Sequence, residues 1–321
     1  MLQIASTALF ISNNILALLK LYIMAFLLAR EARALSIGSS SRILLSNHHH
    51  VGSLRRPRPK TSLQAVFSQQ MESLSQSSGL ARWLDIELPE GRCVGVGLEG
   101  DDAKEIIISA KSLADPTNWA HEYYHPDELV HGMTLPLARQ ESFWLGRLSM
   151  RLALDGSSYK DHAPILRDTH GRPQLPLGTF GSISHKGGYG AALVSRDQTL
   201  AGVGVDLEYT SRAGKKNIGK RVLTDDEMMD LGKLPGISAE EEVLLRFSLK
   251  EAIYKAAHPL LCQYVGFKEA EVTPHPDGSA TCKWMLESGM QTRIAGQTAH
   301  WRKLEDQDFF LTSASVEGTA S

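Results

Sequence analysis

The ten residues TLAGVGVDLE, numbers 199–208, alternate with the period of two that belongs to a β-strand. Val203, Val205 and Leu207 fall on one face, Gly204, Asp206 and Glu208 on the other. Two carboxylates therefore project together, and the glycine beside them lets something approach the backbone closely. Standing alone, such a pair would be the wet face of an edge strand. Two oxygen donors on one face also suit a hard cation such as Mg²⁺, which takes one or two carboxylates and completes its shell with waters and phosphate oxygens.

Working upstream, FGSISH and YGAALVS read as two further strands, joined to each other by KGG and to the first by RDQ. Turns this short predict antiparallel pairing. Ser184 and His185 stand at a strand end with Lys186 adjacent, and the Gly/Pro-rich loop DTHGRPQLPLG before them holds Arg172. Earlier still, residues 136–155 carry a helical pattern. Phe143, Trp144, Leu148 and Leu152 fall at core spacings, with Arg139, Arg147 and Arg151 as a basic stripe on the other side. Strands are also expected in RCVGVGLEG and EIIISAK.

Downstream, the basic loop SRAGKKNIGKR and the helical LTDDEMMDL lead to FSLKEAIYKAA, residues 247–257. At 100° per residue Ser248, Glu251 and Lys255 share a narrow polar face, while Phe247, Leu249, Ala252, Ile253 and Ala256 make the rest apolar, so the helix is largely buried. An isolated Glu–Lys pair four apart contributes a few tenths of a kcal/mol, about 0.3. Beside Asp206 and Glu208, Glu251 becomes a third acid and Lys255 a partner for phosphate. FKEAEVTPH, SATCKWML and FFLTSASV then read as strands. Helix followed by antiparallel strands occurs twice, which predicts an α+β fold of two similar halves, 71–200 and 201–321, meeting near residue 200.

The first 70 residues hold eight Lys or Arg and one acid, Glu31, which leaves the body with 26 basic against 35 acidic residues. ILALLKLYIMAFLLA, interrupted by Lys20, is followed by a Ser- and Arg-rich run to Lys60. This resembles an organelle-targeting leader, for a mitochondrion or plastid, with a signal anchor from Leu9 as the rival reading and the cytoplasm as the location without it. The leader is expected to be mostly disordered and the body soluble and monomeric, with no nucleic-acid partner. Three scattered cysteines, Cys93, Cys262 and Cys282, indicate no disulfide framework.

Two short matches are set aside. HEYYH, residues 121–125, fits the HExxH zinc signature, but Pro126 pushes His125 out of helical geometry. GVGLEG, residues 95–100, fits GxGxxG, but Asp101 and Asp102 follow where a pyrophosphate would sit, so a glycine-containing turn is expected. No GxxxxGK[ST] or GxSxG occurs, which removes the P-loop and hydrolase-elbow classes.

In this order and spacing, FGSISHKGGYGAALVS, GVGVDLE and FSLKEAIYKA resemble the 4'-phosphopantetheinyl transferases of the enterobactin- and surfactin-activating type. RQESFWLGR and THGRPQLP fit the enterobactin-like branch, so the resemblance covers roughly residues 120–275. It implies two pseudo-symmetric halves with the active site in the cleft between them. It implies coenzyme A as co-substrate, Mg²⁺ as cofactor, and an apo acyl or peptidyl carrier protein whose serine receives phosphopantetheine, releasing adenosine 3',5'-bisphosphate. Asp206, Glu208 and Glu251 would hold Mg²⁺. Lys255 would lie at the reacting phosphate, and Glu251 would double as base. Ser184, His185, Arg172, Arg139 and Arg147 would contact coenzyme A, Glu227 matches a family acid, and Arg212, Lys215, Lys216, Lys220 and Arg221 lie where the carrier docks. Phe247 stands where many members have Trp, and Lys186 where a small residue is common. A Mg²⁺-dependent pyrophosphate hydrolase acting on coenzyme A or a nucleotide is the alternative, a non-catalytic binding module the third.

Overall fold

Ser238 and Glu241 write the S-x-x-E signature of a helix start, and the longest helix begins there. Glu241 N–H donates to Ser238 Oγ at 3.2 Å and Ser238 N–H to Glu241 Oε2 at 2.9 Å. The computed structural model describes residues 80–98, 118–154, 163–286 and 290–319. The leader, EIIISAK and the acids Asp101 and Asp102 lie outside the described residues.

Strands β1 (Leu80–Leu88) and β2 (Gly91–Leu98) form a hairpin. Helices α1 (Ala120–Tyr123), α2 (Pro126–Thr134) and α3 (Leu137–Leu154) follow, then β3 (Phe180–Lys186), β4 (Tyr189–Ser195) and β5 (Leu200–Tyr209). Short helices α4 (Gly219–Val222) and α5 (Asp225–Met229) precede α6 (Ala239–Leu261). Strands β6 (Ala270–Pro274), β7 (Ala280–Trp284), β8 (Ile294–Leu304) and β9 (Phe309–Gly318) complete the order. All strand pairing is antiparallel, in sheets ordered β1-β2-β4-β3, β5-β9-β8 and β6-β7. The α+β class holds. Strands also precede each long helix, because β1–β2 join the first sheet and β5 opens the second. Of these, β2 and β5 are among the strands expected from the sequence and β1 is not.

The layers follow from strand alternation. Val94, Val96, Ala192 and Val194 turn one face of the first sheet toward α3. Cys93, Ala191 and Leu193 turn the other toward Val203, Val205, Leu207, Phe309 and Leu311 of the second sheet. The opposite face of the second sheet meets α6, whose Leu249, Ala252, Ile253 and Ala256 are buried with Ala314 and Val316. Burying each larger aliphatic side chain contributes roughly 1.5–3 kcal/mol.

Three expectations are corrected here. The short RDQ connection does not pair β4 with β5, because β5 leaves the first sheet and pairs with β9 in the second. Gly95 and Gly97 lie inside β2, not in a turn. Arg147 and Arg151 are buried, 4% and 2% exposed, so the basic stripe is no solvated face; of the three arginines only Arg139 is exposed. HEYYH is broken as its proline requires: α1 ends at Tyr123, Tyr124 is extended, and His125 caps α2. Among the described residues no helix is long and apolar enough to cross a membrane.

Candidate active site

Asp206 and Glu208 leave β5 on the face that meets α6, and both are buried. The glycines beside them make room for that helix: a Cβ on Gly204 would run into the carbonyl oxygen of Ala252, and one on Gly202 into that of Ala256. The close approach expected from the sequence is therefore made by the α6 backbone. It brings Ser248, Glu251 and Lys255 onto the carboxylates.

Asp206 Oδ1 accepts from Lys255 Nζ at 2.8 Å and Ser184 Oγ at 2.9 Å, and its Oδ2 from Ser248 Oγ at 3.0 Å. Lys255 Nζ also donates to the Val205 carbonyl at 2.9 Å. Glu208 Oε1 accepts from Lys186 Nζ at 2.5 Å. Glu251 is half-buried and accepts no hydrogen bond among the described residues. Burial, then the charge of Asp206, raises its carboxyl above the usual range, against the pull of Lys255. Burial likewise raises Glu208, opposed chiefly by Lys186. Among the described residues no group of three or more His, Cys, Asp or Glu stands in metal-holding geometry. The donor set still suits a hard divalent cation: three carboxylates, two of them, Glu208 and Glu251, discouraged from ionising by burial and by the charge of Asp206.

A cleft of about 1020 Å³ opens beside this ledge, between α3, the loop 166–175, β3, the start of β5 and the end of α6. Its walls carry Arg139, Arg147, Arg167, Arg172, His185 and Lys255, with Asp168 as the single acid among the described residues. Arg139 and Arg167 are exposed and have no ion pair among the described residues. Arg147 Nε donates to the Ile165 carbonyl, its guanidinium lies 4.8 Å from the Phe143 ring centre, and its buried Nη2 has no partner. Burial lowers it to about 10. Arg172 is oriented by Asp168, whose Oδ2 accepts from Arg172 Nε at 2.7 Å and whose Oδ1 accepts from Arg172 N–H at 2.9 Å. Burial works against ionisation of Asp168, but these bonds and the His170 amide hold it below the usual range. His185 faces the cleft, where desolvation and then Lys255 and Arg167 lower its pKa. Farther along, the His170 and His258 rings stand 5.7 Å apart.

The structure thus brings Arg139, Arg147, Arg172, His185 and Lys255 to one cleft, and Lys255 joins that cleft to Asp206; Asp206, Glu208 and Glu251 are not in its wall. Ser184 is not in the cleft wall. Its hydroxyl joins the two sheets, donating to Asp206 and accepting from the Leu207 amide at 3.2 Å, as Ser182 accepts from Val205 N–H at 3.1 Å. Glu227 lies apart, buried against Lys250 at 2.6 Å. Sequence reasoning missed Arg167, Asp168, His170 and His258. The first three sit within or beside the loop quoted for Arg172 and were the readable signal.

Two family models match these elements: the 4'-phosphopantetheinyl transferase N-terminal domain over residues 126–195, and the 4'-phosphopantetheinyl transferase superfamily over residues 202–309. The chain belongs to this superfamily. The gap between the two matches falls at the connection from β4 to β5, where the chain passes from the first sheet to the second. Among curated relatives, the 4'-phosphopantetheinyl transferase PptT of Mycobacterium tuberculosis is 32% identical over 142 residues, 44% of this chain and 61% of that protein. Svp of Streptomyces mobaraensis is 29% identical over 183 residues, 55% of this chain and 72% of its own length. Npt of Nocardia iowensis is 30% identical over 151 residues, and this chain spans 63% of it. The chain thus spans less than two thirds of the length of two of these three relatives, 61% and 63%, and 72% of the other. A holo-(acyl-carrier-protein) synthase from Bacillus anthracis, in complex with CoA, is similar at 24% identity over 37% of this chain and 98% of its own, with a TM-score of 0.29, too low for anything to rest on it.

Proposed function

We propose that this chain transfers the 4'-phosphopantetheine arm of coenzyme A to a serine of an apo acyl or peptidyl carrier protein, as a holo-acyl-carrier-protein synthase does. The observation that carries the reading is the cationic cleft ending at Lys255, Asp206 and Glu251, in a body that is otherwise acidic. A ligand with several phosphates and a long arm matches that distribution of charge. Arg139, Arg167 and Arg172 supply planar, permanently charged donors for phosphate oxygens, with Arg147 adding its charge from behind the wall.

Asp206, Glu208 and Glu251 would hold Mg²⁺, which when bound would neutralise charge on the pyrophosphate. Lys255, already at the edge between cleft and ledge, meets the phosphate that reacts. The carrier's serine oxygen forms the new P–O bond, the bridging P–O bond of the pyrophosphate breaks, and adenosine 3',5'-bisphosphate leaves with that electron pair. The serine proton goes to Glu251, directly or through a water; its raised pKa and lack of a partner suit a base. No nucleophile is needed from this chain, since the partner brings it. Both walls of the cleft come from one chain, so the working unit we propose is a monomer. The leader we assign to a mitochondrion or plastid.

The test is to incubate the full chain with coenzyme A, Mg²⁺ and several apo carriers and weigh the carriers intact. A phosphopantetheine-sized gain, absent with Asp206→Ala, is expected. Coenzyme A cleaved with no carrier gaining mass would replace the reading with a hydrolase.

A further inference from the structure

Two ammonium groups reach the carboxylate ledge, and only one of them belongs to the cleft. Lys255 lines the cleft and holds Asp206. Lys186 is absent from the cleft wall. It leaves β3 immediately before the Gly187–Gly188 turn, where φ is +44° and +83°, and takes Glu208 Oε1 at 2.5 Å. The pair is lopsided, with Glu208 7% and Lys186 25% exposed. Glu208 is fixed by the strand and by burial, whereas the ammonium sits on a flexible stem with a way out to solvent.

This arrangement bears on any cation shared by Asp206, Glu208 and Glu251. A ligand bond to Glu208 Oε1 requires Lys186 to leave, and a second positive charge at the ledge repels the newcomer while Lys186 stays. We propose that Lys186 is a tethered cation that neutralises Glu208 in the free chain and competes with a divalent cation for it. The inference rests on the reading of these three acids as a cation site. It makes Lys186 a positioning residue: the ledge keeps its shape without metal, and metal binds more weakly than the three acids alone would bind it.

The test uses Mn²⁺, titrated into the full chain without coenzyme A, with free Mn²⁺ read by electron paramagnetic resonance. Lys186→Met is expected to bind Mn²⁺ roughly fivefold tighter than the native chain, the scale of a partly exposed ion pair. Lys186→Gln should behave like Lys186→Met, and Lys186→Arg, which keeps the charge, should stay near native affinity. Adding Asp206→Asn to Lys186→Met should remove the gain. Equal or weaker Mn²⁺ binding in both neutral variants overturns the proposal, as does a gain that survives Asp206→Asn. Absence of Mn²⁺ binding in every variant overturns it together with the cation site. A chain that modifies no carrier yet gains affinity in both neutral variants keeps this inference and sinks the transfer reading.

Discussion

Two buried ion pairs in this molecule are built to one plan and use different cations. In the first half Glu128, three residues after the helix cap His125, accepts from the His125 amide at 2.8 Å, from Arg151 Nη2 of α3 at 2.6 Å and from the Ile165 amide at 2.7 Å. In the second, Glu227, three after the cap Thr224, accepts from the Thr224 amide at 2.8 Å, from Lys250 Nζ of α6 at 2.6 Å and from the Val272 amide at 2.7 Å. Each glutamate ties a short helix, a long helix and a later segment together. The first anchors the start of the loop that presents Arg167, Asp168 and Arg172 to the cleft. The second anchors α4 and α5, beside the basic residues Arg212, Lys215, Lys216, Lys220 and Arg221 that we assign to carrier docking.

The difference lies in the cation. Arg151 leaves Nε and Nη1 buried without partners, so its charge depends on Glu128. Lys250 is fully satisfied, since the carbonyls of Val222 and Phe267 accept at 2.9 and 2.8 Å. Lysine can also lose its proton, which arginine does not. Desolvation already lowers Lys250, against the pull of Glu227.

Glu128→Gln should therefore have the largest effect, a loss of about 3–5 kcal/mol because a permanent charge stays buried, read by denaturant unfolding. Glu227→Gln should cost less, about 2–3 kcal/mol, because Lys250 can neutralise. The sign with pH separates them. A lysine whose folded pKa lies below its unfolded value binds fewer protons when folded, so stability rises with pH toward the unfolded pKa. Glu227→Gln should recover stability as pH rises, and Glu128→Gln should not. Equal pH slopes would break the comparison.

Within the cleft the effects become ones of affinity. Asp168→Asn frees Arg172 and should weaken coenzyme A binding by about fivefold, measured by calorimetry, with little change in unfolding. The smallest effect concerns His185. With its pKa lowered it is mostly neutral at pH 7, and binding a phosphate takes up a proton, so affinity should increase as pH falls toward 6. His185→Gln should flatten that profile, and an unflattened one would place the titrating group elsewhere.

What was legible in the sequence follows the range of the interactions. The alternation of GVGVDLE and the polar face Ser248, Glu251, Lys255 are local, and both reappear with the sidedness read from them. Gly204 was rightly read as a close approach, but the approaching object is α6, about fifty residues away in the chain. Arg147 and Arg151 read as a basic stripe on the side away from the core because their covers, Ile165 and Glu128, come from other segments. β8 escaped because IAGQTAHWRKL mixes half-buried and exposed positions without clean alternation. Ser184 gave no sign that its hydroxyl bridges two sheets, since Asp206 and Leu207 meet it only after folding.

The central claim is that the arginine-lined cleft is where coenzyme A binds. Titrating coenzyme A into the native chain and into Arg139→Gln/Arg172→Gln, by calorimetry, tests it most directly, because both residues are at least partly exposed and their loss leaves the core intact. The account predicts a weakening of at least about tenfold at an unchanged unfolding temperature. Coenzyme A binding with native affinity in the double variant would contradict it.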